Sequence, residues 1–203
     1  MSDEAVQAAV DAIRAGRPVI LPTDTVYGLC ASADRSEAAE RLYLLKGRDP
    51  LQPSALLAAD LDALLERVPE LRGRHELIVR ALLPGPFTLV LPNPARRYRW
   101  LTGADQEAIG VRVPELAGPG ARVLAQVGAV VATSANAPGG PDPARLEDVP
   151  EELRSRAAVV VDGGELPGTP STVIDFTGPE PRVLREGAAP AREAIDRVGA
   201  ALA

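Results

Sequence analysis

Cysteine and histidine each occur once in this chain of 203 residues, and aromatic side chains make up only 3% of it. A lone Cys30 excludes an intramolecular disulfide and a cluster of metal-binding thiolates, which leaves a small buried filler as its plain role. The lone His75 falls in a helical stretch among Arg72, Arg74 and Glu76, a surface position, and a Ser-His-Asp hydrolase is disfavoured for want of a placed imidazole. Scarce rings argue against a surface that stacks single-stranded bases. Positive charge is also short: 22 Lys and Arg face 28 Asp and Glu, and the formal charge of −6 does not draw in a phosphate backbone, although it leaves room for a local basic pocket. No apolar run approaches the length of a membrane span, and Met1-Ser2-Asp3-Glu4-Ala5 lacks the basic start and apolar core of a signal peptide. The expectation is a cytoplasmic protein without membrane contact. Walker, dinucleotide-fingerprint, His-Glu-x-x-His and Gly-x-Ser-x-Gly motifs are missing as well.

What remains is an ordinary globular composition, 46% hydrophobic and 25% charged, of a length that suits one large domain spanning 1–203. Ser2 reads as the cap of a helix that Gly16 closes before Pro18, and Ser36 as the cap of a second helix ending at Lys46-Gly47. Further helices are predicted after a capping Asp60, over Pro69 to Leu83, Arg122 to Val127, Leu146 to Arg156 and Ala191 to Leu202. Strands are predicted over Val19–Leu21, Ser54–Ala58, Phe87–Leu91, Ile109–Val113, Ala129–Thr133, Val159–Val161, Thr172–Phe176 and Arg182–Leu184. Their intermixed but not alternating order predicts an α/β (α+β mixed) fold, a mixed sheet with helices on both faces. Pro92 to Gly103 is irregular and basic, with Arg96, Arg97, Arg99 and Trp100, a composition that usually means exposed surface.

Four segments share one design, an apolar run that delivers hydroxyl, amide or guanidinium groups beside Gly or Pro. They are Pro22-Thr23-Asp24-Thr25-Val26-Tyr27-Gly28-Leu29, Ile109-Gly110-Val111-Arg112-Val113-Pro114, Val130-Val131-Ala132-Thr133-Ser134-Ala135-Asn136 and Gly168-Thr169-Pro170-Ser171-Thr172-Val173-Ile174-Asp175. Any one could be a turn whose side chains satisfy nearby backbone. Four together predict strand ends that converge on a polar pocket. The fixed cations Lys46, Arg48, Arg112 and Arg185, with the hydroxyls and amide of Thr25, Ser134, Asn136 and Ser171, suit a small anionic substrate plus a polyphosphate. Each arginine alone could equally be a structural ion-pair partner.

The ordered set Pro-Thr-Asp-Thr-Val-Tyr-Gly-Leu, Lys-Gly-Arg, Pro-Gly-Pro-Phe-Thr-Leu-Val, Val-Arg-Val-Pro, Thr-Ser-Ala-Asn, Ser-Thr-Val-Ile-Asp and a late Leu-Arg resembles the YrdC-like family of threonylcarbamoyl-AMP synthases, from about Val19 to Gly187. The resemblance implies a YrdC/RibB-like fold, a single-domain twisted mixed β-sheet flanked by helices around a deep cationic cavity, without the additional C-terminal domain of longer relatives. It implies a nucleotidyltransferase that joins L-threonine, bicarbonate and ATP into threonylcarbamoyladenylate and pyrophosphate. The product would serve downstream proteins that modify adenosine 37 of tRNA. By motif, Thr25, Arg112, Ser134 and Ser171 would hold threonine. Lys46, Arg48, Gln52, Asn136 and Arg185 would hold ATP, with Lys46 and Arg48 acting on the phosphates during catalysis. Mg2+ would ride on the phosphates, and no protein-held metal is implied. The chain departs from the family pattern at Gln52, Leu57, Ala108, Asp142 and Ala144. Leu57 cannot replace a His contact to threonine, and an added carboxylate at Asp142 would repel phosphate. The alternatives are a YciO-type paralogue with a different substrate, or a non-catalytic module gripping tRNA or double-stranded RNA, in which RNA binding would be weak.

Overall fold

The computed structural model describes residues 3–203. Eight strands, β1 (Val19–Pro22), β2 (Tyr27–Ser32), β3 (Ala55–Ala58), β4 (Phe87–Pro92), β5 (Ala108–Arg112), β6 (Ala129–Ser134), β7 (Thr172–Asp175) and β8 (Arg182–Arg185), pair into one sheet in the order β1-β2-β6-β3-β5-β4-β7-β8. Among these strands only β3 with β5 and β4 with β7 run parallel. The described residues form seven α-helices, α1 (Asp3–Arg14), α2 (Ser36–Lys46), α3 (Leu61–Arg67), α4 (Arg74–Leu82), α5 (Gly118–Val127), α6 (Glu151–Arg156) and α7 (Ala191–Leu202).

Two apolar cores flank the sheet, as the mixed order of elements predicts. On one face Ile20, Leu29, Leu56, Leu89, Val131 and Ile174 pack with α2, α3, α4 and α7. On the other, Val19, Leu21, Cys30, Leu57 and Val130 pack with Val6, Val10 and Ile13 of α1 and with Val123 and Leu124 of α5. Strand side chains alternate between faces, and this split separates Ile20 from Leu21 and Leu56 from Leu57. The second core reaches only over the β1, β2, β6 and β3 side of the sheet. Among the described residues no helix covers the same face of β5, β4 and β7, and the cavity described below opens there.

Several predicted elements change. The expected helix over Pro69 to Leu83 begins only at Arg74, because Gly73 turns the chain at φ 58°. The expected helix over Leu146 to Arg156 is a 3-10 turn, Leu146–Asp148, followed by α6, with Pro150 between them unable to donate the amide a continuous helix needs. Val159 to Val161 forms only a bridge to Ile20, through Ile20 N to Val159 O and Val161 N to Ile20 O, both 2.9 Å. Asp60 caps α3 by accepting the Ala63 amide, as predicted. At α2 the cap position belongs to Arg35, without a side-chain hydrogen bond, and Ser36 is the first helical residue. The predicted cap Ser2 lies outside the described residues.

Candidate functional site

The uncovered half of the sheet is the floor of a cavity of about 480 Å³. Strand register sets its pavement. Ala132, Ala55, Gly110, Val90 and Asp175 lie side by side across β6, β3, β5, β4 and β7, and all five line the cavity. Small residues at the first three positions leave the depth. An added Cβ at Gly110 would touch nothing closer than Thr88 Cγ2 at 3.7 Å, so the volume it would take belongs to the cavity and not to the sheet.

At one end the turn between β1 and β2 is tied by Thr23, whose hydroxyl donates to Val26 O at 2.7 Å and accepts the Val26 amide at 3.2 Å. This turn presents Thr25 to the cavity and sets Asp24 behind it. Arg112, the last residue of β5, donates from Nη2 to Asp24 Oδ1 at 2.7 Å and to Thr25 Oγ1 at 3.4 Å. Arg112 is 8% exposed, and its Nε has no partner among the described residues. Burial raises the Asp24 carboxyl above its ordinary pKa, outweighing the pull of Arg112. Burial likewise lowers Arg112, opposed by Asp24 and assisted by the nearby Arg185. Such a pair is fragile to the loss of either partner.

Across the cavity, Arg185 of β8 donates from Nε and Nη2 to Ser171 O at 3.1 and 2.8 Å, and from Nη2 to Ser171 Oγ at 3.2 Å. Thr88 Oγ1 lies 2.8 Å from the same Ser171 Oγ. Gly187 is needed here for close approach, since a Cβ on it would sit 2.2 Å from Pro170 O. Farther along, Asp175 accepts from the Thr177 amide and hydroxyl and from Arg182 Nη2 at 2.8 Å. Burial pushes its carboxyl up, but the Thr177 and Arg182 bonds together hold it below the ordinary value.

On the third side, Arg48 donates to Pro53 O at 2.6 Å and to Thr133 Oγ1 at 3.3 Å. Lys46, 5% exposed, donates to Ser134 O and Asn136 O, each at 2.5 Å, and to Asn136 Oδ1. Burial first, then repulsion from Arg48, lowers the Lys46 ammonium to about 8, while Asp142 opposes the shift. The three oxygens favour the protonated form, so Lys46 is a cation at neutral pH. Ser134 Oγ and Gly140 O complete this knot through Asn136.

The cavity thus gathers Thr25, Arg48, Arg112, Ser134, Ser171 and Arg185 from strands and loops distant in sequence. Lys46 and Asn136 are turned onto each other and do not line it, and Gln52 is exposed on the loop beside Pro53. Four arginines, 48, 112, 182 and 185, share the lining with Asp105, Asp142 and Asp175. Leu57, Ala108 and Asp142 line it too, whereas Ala144 does not. His75, partly buried on α4, is not part of the lining. Asp24 and Thr88 stand inside sequence motifs that gave them no role, and nothing in the sequence singled out Arg182. Alternation along Phe87-Thr88-Leu89-Val90, with every second residue apolar and buried, was the available signal for Thr88. In the basic loop, Arg96 pairs with Glu107 at 2.6 Å and Arg97 with Glu70 at 2.7 Å, solvent-exposed pairs that offset part of the loop's positive charge. No described helix is long and apolar enough to cross a membrane.

Comparison with known proteins gives the family and the fold. The family model Sua5_yciO_yrdC, described as "Telomere recombination", matches residues 11–187. A Mycobacterium tuberculosis relative is 37% identical over 186 residues, 90% of this chain and 83% of its own length. The threonylcarbamoyl-AMP synthase of Pyrococcus abyssi is 34% identical over 95% of this chain, but the match spans 56% of that protein. The crystal structure of P. abyssi Sua5 complexed with L-threonine superposes with a TM-score of 0.88, 32% identity, 98% of this chain and 58% of that one. Escherichia coli YciO shares the fold, with a TM-score of 0.84 at 24% identity over 96% of this chain and 94% of that chain. With the ordered motifs falling on one cavity and a family model spanning most of the sequence, the chain belongs to the Sua5/YciO/YrdC family.

Proposed function

We propose that this protein is a threonylcarbamoyl-AMP synthase, a nucleotidyltransferase of the cytoplasm acting on L-threonine, bicarbonate and ATP. The observation that carries the reading is the meeting of Thr25, Arg112 and Ser171 with Arg48 and Arg185 on one cavity, in a chain similar to a protein solved with L-threonine. Arg112 takes the threonine carboxylate, and Thr25, Ser134 and Ser171 surround the amino acid with hydroxyl groups. Arg48 and Arg185 face the phosphates directly. Lys46 and Asn136 act from behind the wall by fixing the Ser134–Asn136 turn, with Lys46 adding positive charge, and Gln52 reaches the phosphates from the loop at Pro53.

The threonine amine and bicarbonate condense to the carbamate with loss of water. A carbamate oxygen then attacks the α-phosphorus of ATP. The new P–O bond forms as the bond to the β-phosphate breaks, and pyrophosphate leaves. Alignment of carbamate and phosphorus supplies most of the rate, and fixed cations stabilise charge on the transferring group. Mg2+, which prefers phosphate and water oxygens, would arrive on the triphosphate and offset its charge there, with Asp142 and Asp105 the lining carboxylates that no arginine pairs among the described residues. The adenylate would pass to the proteins that modify adenosine 37 of tRNA.

A YciO-type reaction on another substrate is the second reading, favoured by Leu57 and Asp142 in the lining. An RNA-gripping module is less well supported, since the formal charge is −6 and Glu107 and Glu70 offset Arg96 and Arg97. Purified protein with ATP, Mg2+, L-threonine and radiolabelled bicarbonate tests the proposal. The expected outcome is a labelled adenylate and pyrophosphate that both require threonine. Nucleotide binding without threonine-dependent product overturns it in favour of the second reading.

A further inference from the structure

We infer that Thr88 is a further residue of the substrate site, forming with Ser171 a two-hydroxyl unit that presents one O–H donor, beside the Arg185 guanidinium, to an anionic oxygen of a bound substrate. This rests on the function proposed above and adds a residue to it.

The placement follows from β4. Phe87, Leu89 and Leu91 are buried in the core behind the sheet, and the alternate residues Thr88 and Val90 face the cavity. Thr88 lies opposite Val173, and Val173 opposite Arg185, so β4, β7 and β8 bring the Thr88 hydroxyl and the guanidinium to one place. Ser171, 2% exposed, is held from both sides, with Thr88 Oγ1 at 2.8 Å and Arg185 Nη2 at 3.2 Å from its Oγ.

The proton inventory then decides what the unit can do. Arginine only donates, so Ser171 Oγ accepts from Arg185. The two hydroxyls carry two protons and share one hydrogen bond. Among the described residues neither has another acceptor. With the buried Ser171 donating within the pair, the O–H left over is that of the less buried Thr88, and both residues line the cavity. With a guanidinium beside it, the acceptor that fits best is negatively charged. A valine would serve the strand as well as threonine does, and the hydroxyl is what threonine adds. Carboxylate oxygen of the amino acid and phosphate oxygen of the nucleotide share this chemistry.

The test titrates wild type, Thr88→Val and Thr88→Ser calorimetrically with L-threonine and, separately, with ATP and Mg2+, and records Tm for each protein. Loss of a hydrogen bond to a charged oxygen predicts that Thr88→Val weakens at least one ligand by about 10- to 100-fold, with Tm nearly unchanged and binding recovered in Thr88→Ser. Loss on the threonine arm locates the oxygen on the amino acid, and loss on the ATP arm locates it on a phosphate. Thr88→Val binding both ligands like wild type overturns the inference, as does a Thr88→Ser variant no better than Thr88→Val. Should wild type bind neither ligand, the synthase reading fails on its own, and inorganic pyrophosphate becomes the oxyanion probe for the same three proteins. Weaker pyrophosphate binding by Thr88→Val, recovered in Thr88→Ser, then supports the inference, and equal binding by all three overturns it.

Discussion

Replacing Arg112 by methionine removes the guanidinium and keeps most of the side-chain length. Asp24 would then lose its 2.7 Å partner while its carboxylate stays 7% exposed. The remaining Glu115 amide, at 3.4 Å, is a weak substitute. Breaking a buried ion pair from one side costs about 3–5 kcal/mol, because the remaining charge is neither hydrated nor paired. At roughly 2–4 °C per kcal/mol for a chain of this size, Tm should fall by about 6–20 °C. Asp24 already has a raised carboxyl pKa with Arg112 present, and removing the cation raises it further. A carboxyl raised in the folded state binds more protons folded than unfolded, so its contribution is present at low pH and lost as pH rises. The Arg112→Met deficit should therefore be larger at about pH 8 than at about pH 5.5 in urea denaturation. Adding Asp24→Asn should restore more than half of the lost stability, while threonine binding stays abolished in both variants. A loss under about 1 kcal/mol, or a double variant no more stable than Arg112→Met, would refute the buried-pair argument.

Two further outcomes are expected. Lys46, lowered to about 8, is charged below that pH, so ATP affinity should fall as pH rises through it. A Lys46→Arg protein, whose cation does not titrate there, should lose that inflexion in a nucleotide-binding titration against pH, and an inflexion that persists assigns it elsewhere. Gly110→Ala should fold normally, because the added Cβ meets nothing closer than Thr88 Cγ2 at 3.7 Å, yet take volume from the cavity floor. Overpacking there should cost each ligand about 1–3 kcal/mol with Tm unchanged or higher, and unaltered affinities would show that substrates avoid the Ala55–Gly110 row.

Local rules made much of the molecule readable. Asp60 before an apolar-periodic stretch predicted a capped helix, Gly47 closed α2 at φ 65°, and the apolar runs at Val19, Phe87 and Ala129 became strands. These features depend on neighbours within a few residues, so sequence alone determines them. Pro150 and Gly73 were equally visible, and reading through them produced the two helices that the structure shortens. The four strand-end segments with their hydroxyls and guanidiniums were legible as chemistry and, as an ordered set, as a family. Only tertiary structure decided what each group faces. Strand order placed β3 between β6 and β5, so that Ala55, Gly110 and Ala132 became a floor and Arg112 reached Asp24 from 88 residues away. It turned Lys46 and Asn136 onto each other behind the wall, and it brought Thr88 to Ser171. Side-chain alternation says which residues share a face of one strand. Which strands lie side by side is set by long-range pairing and by where helices leave the sheet uncovered, and no local pattern encodes that.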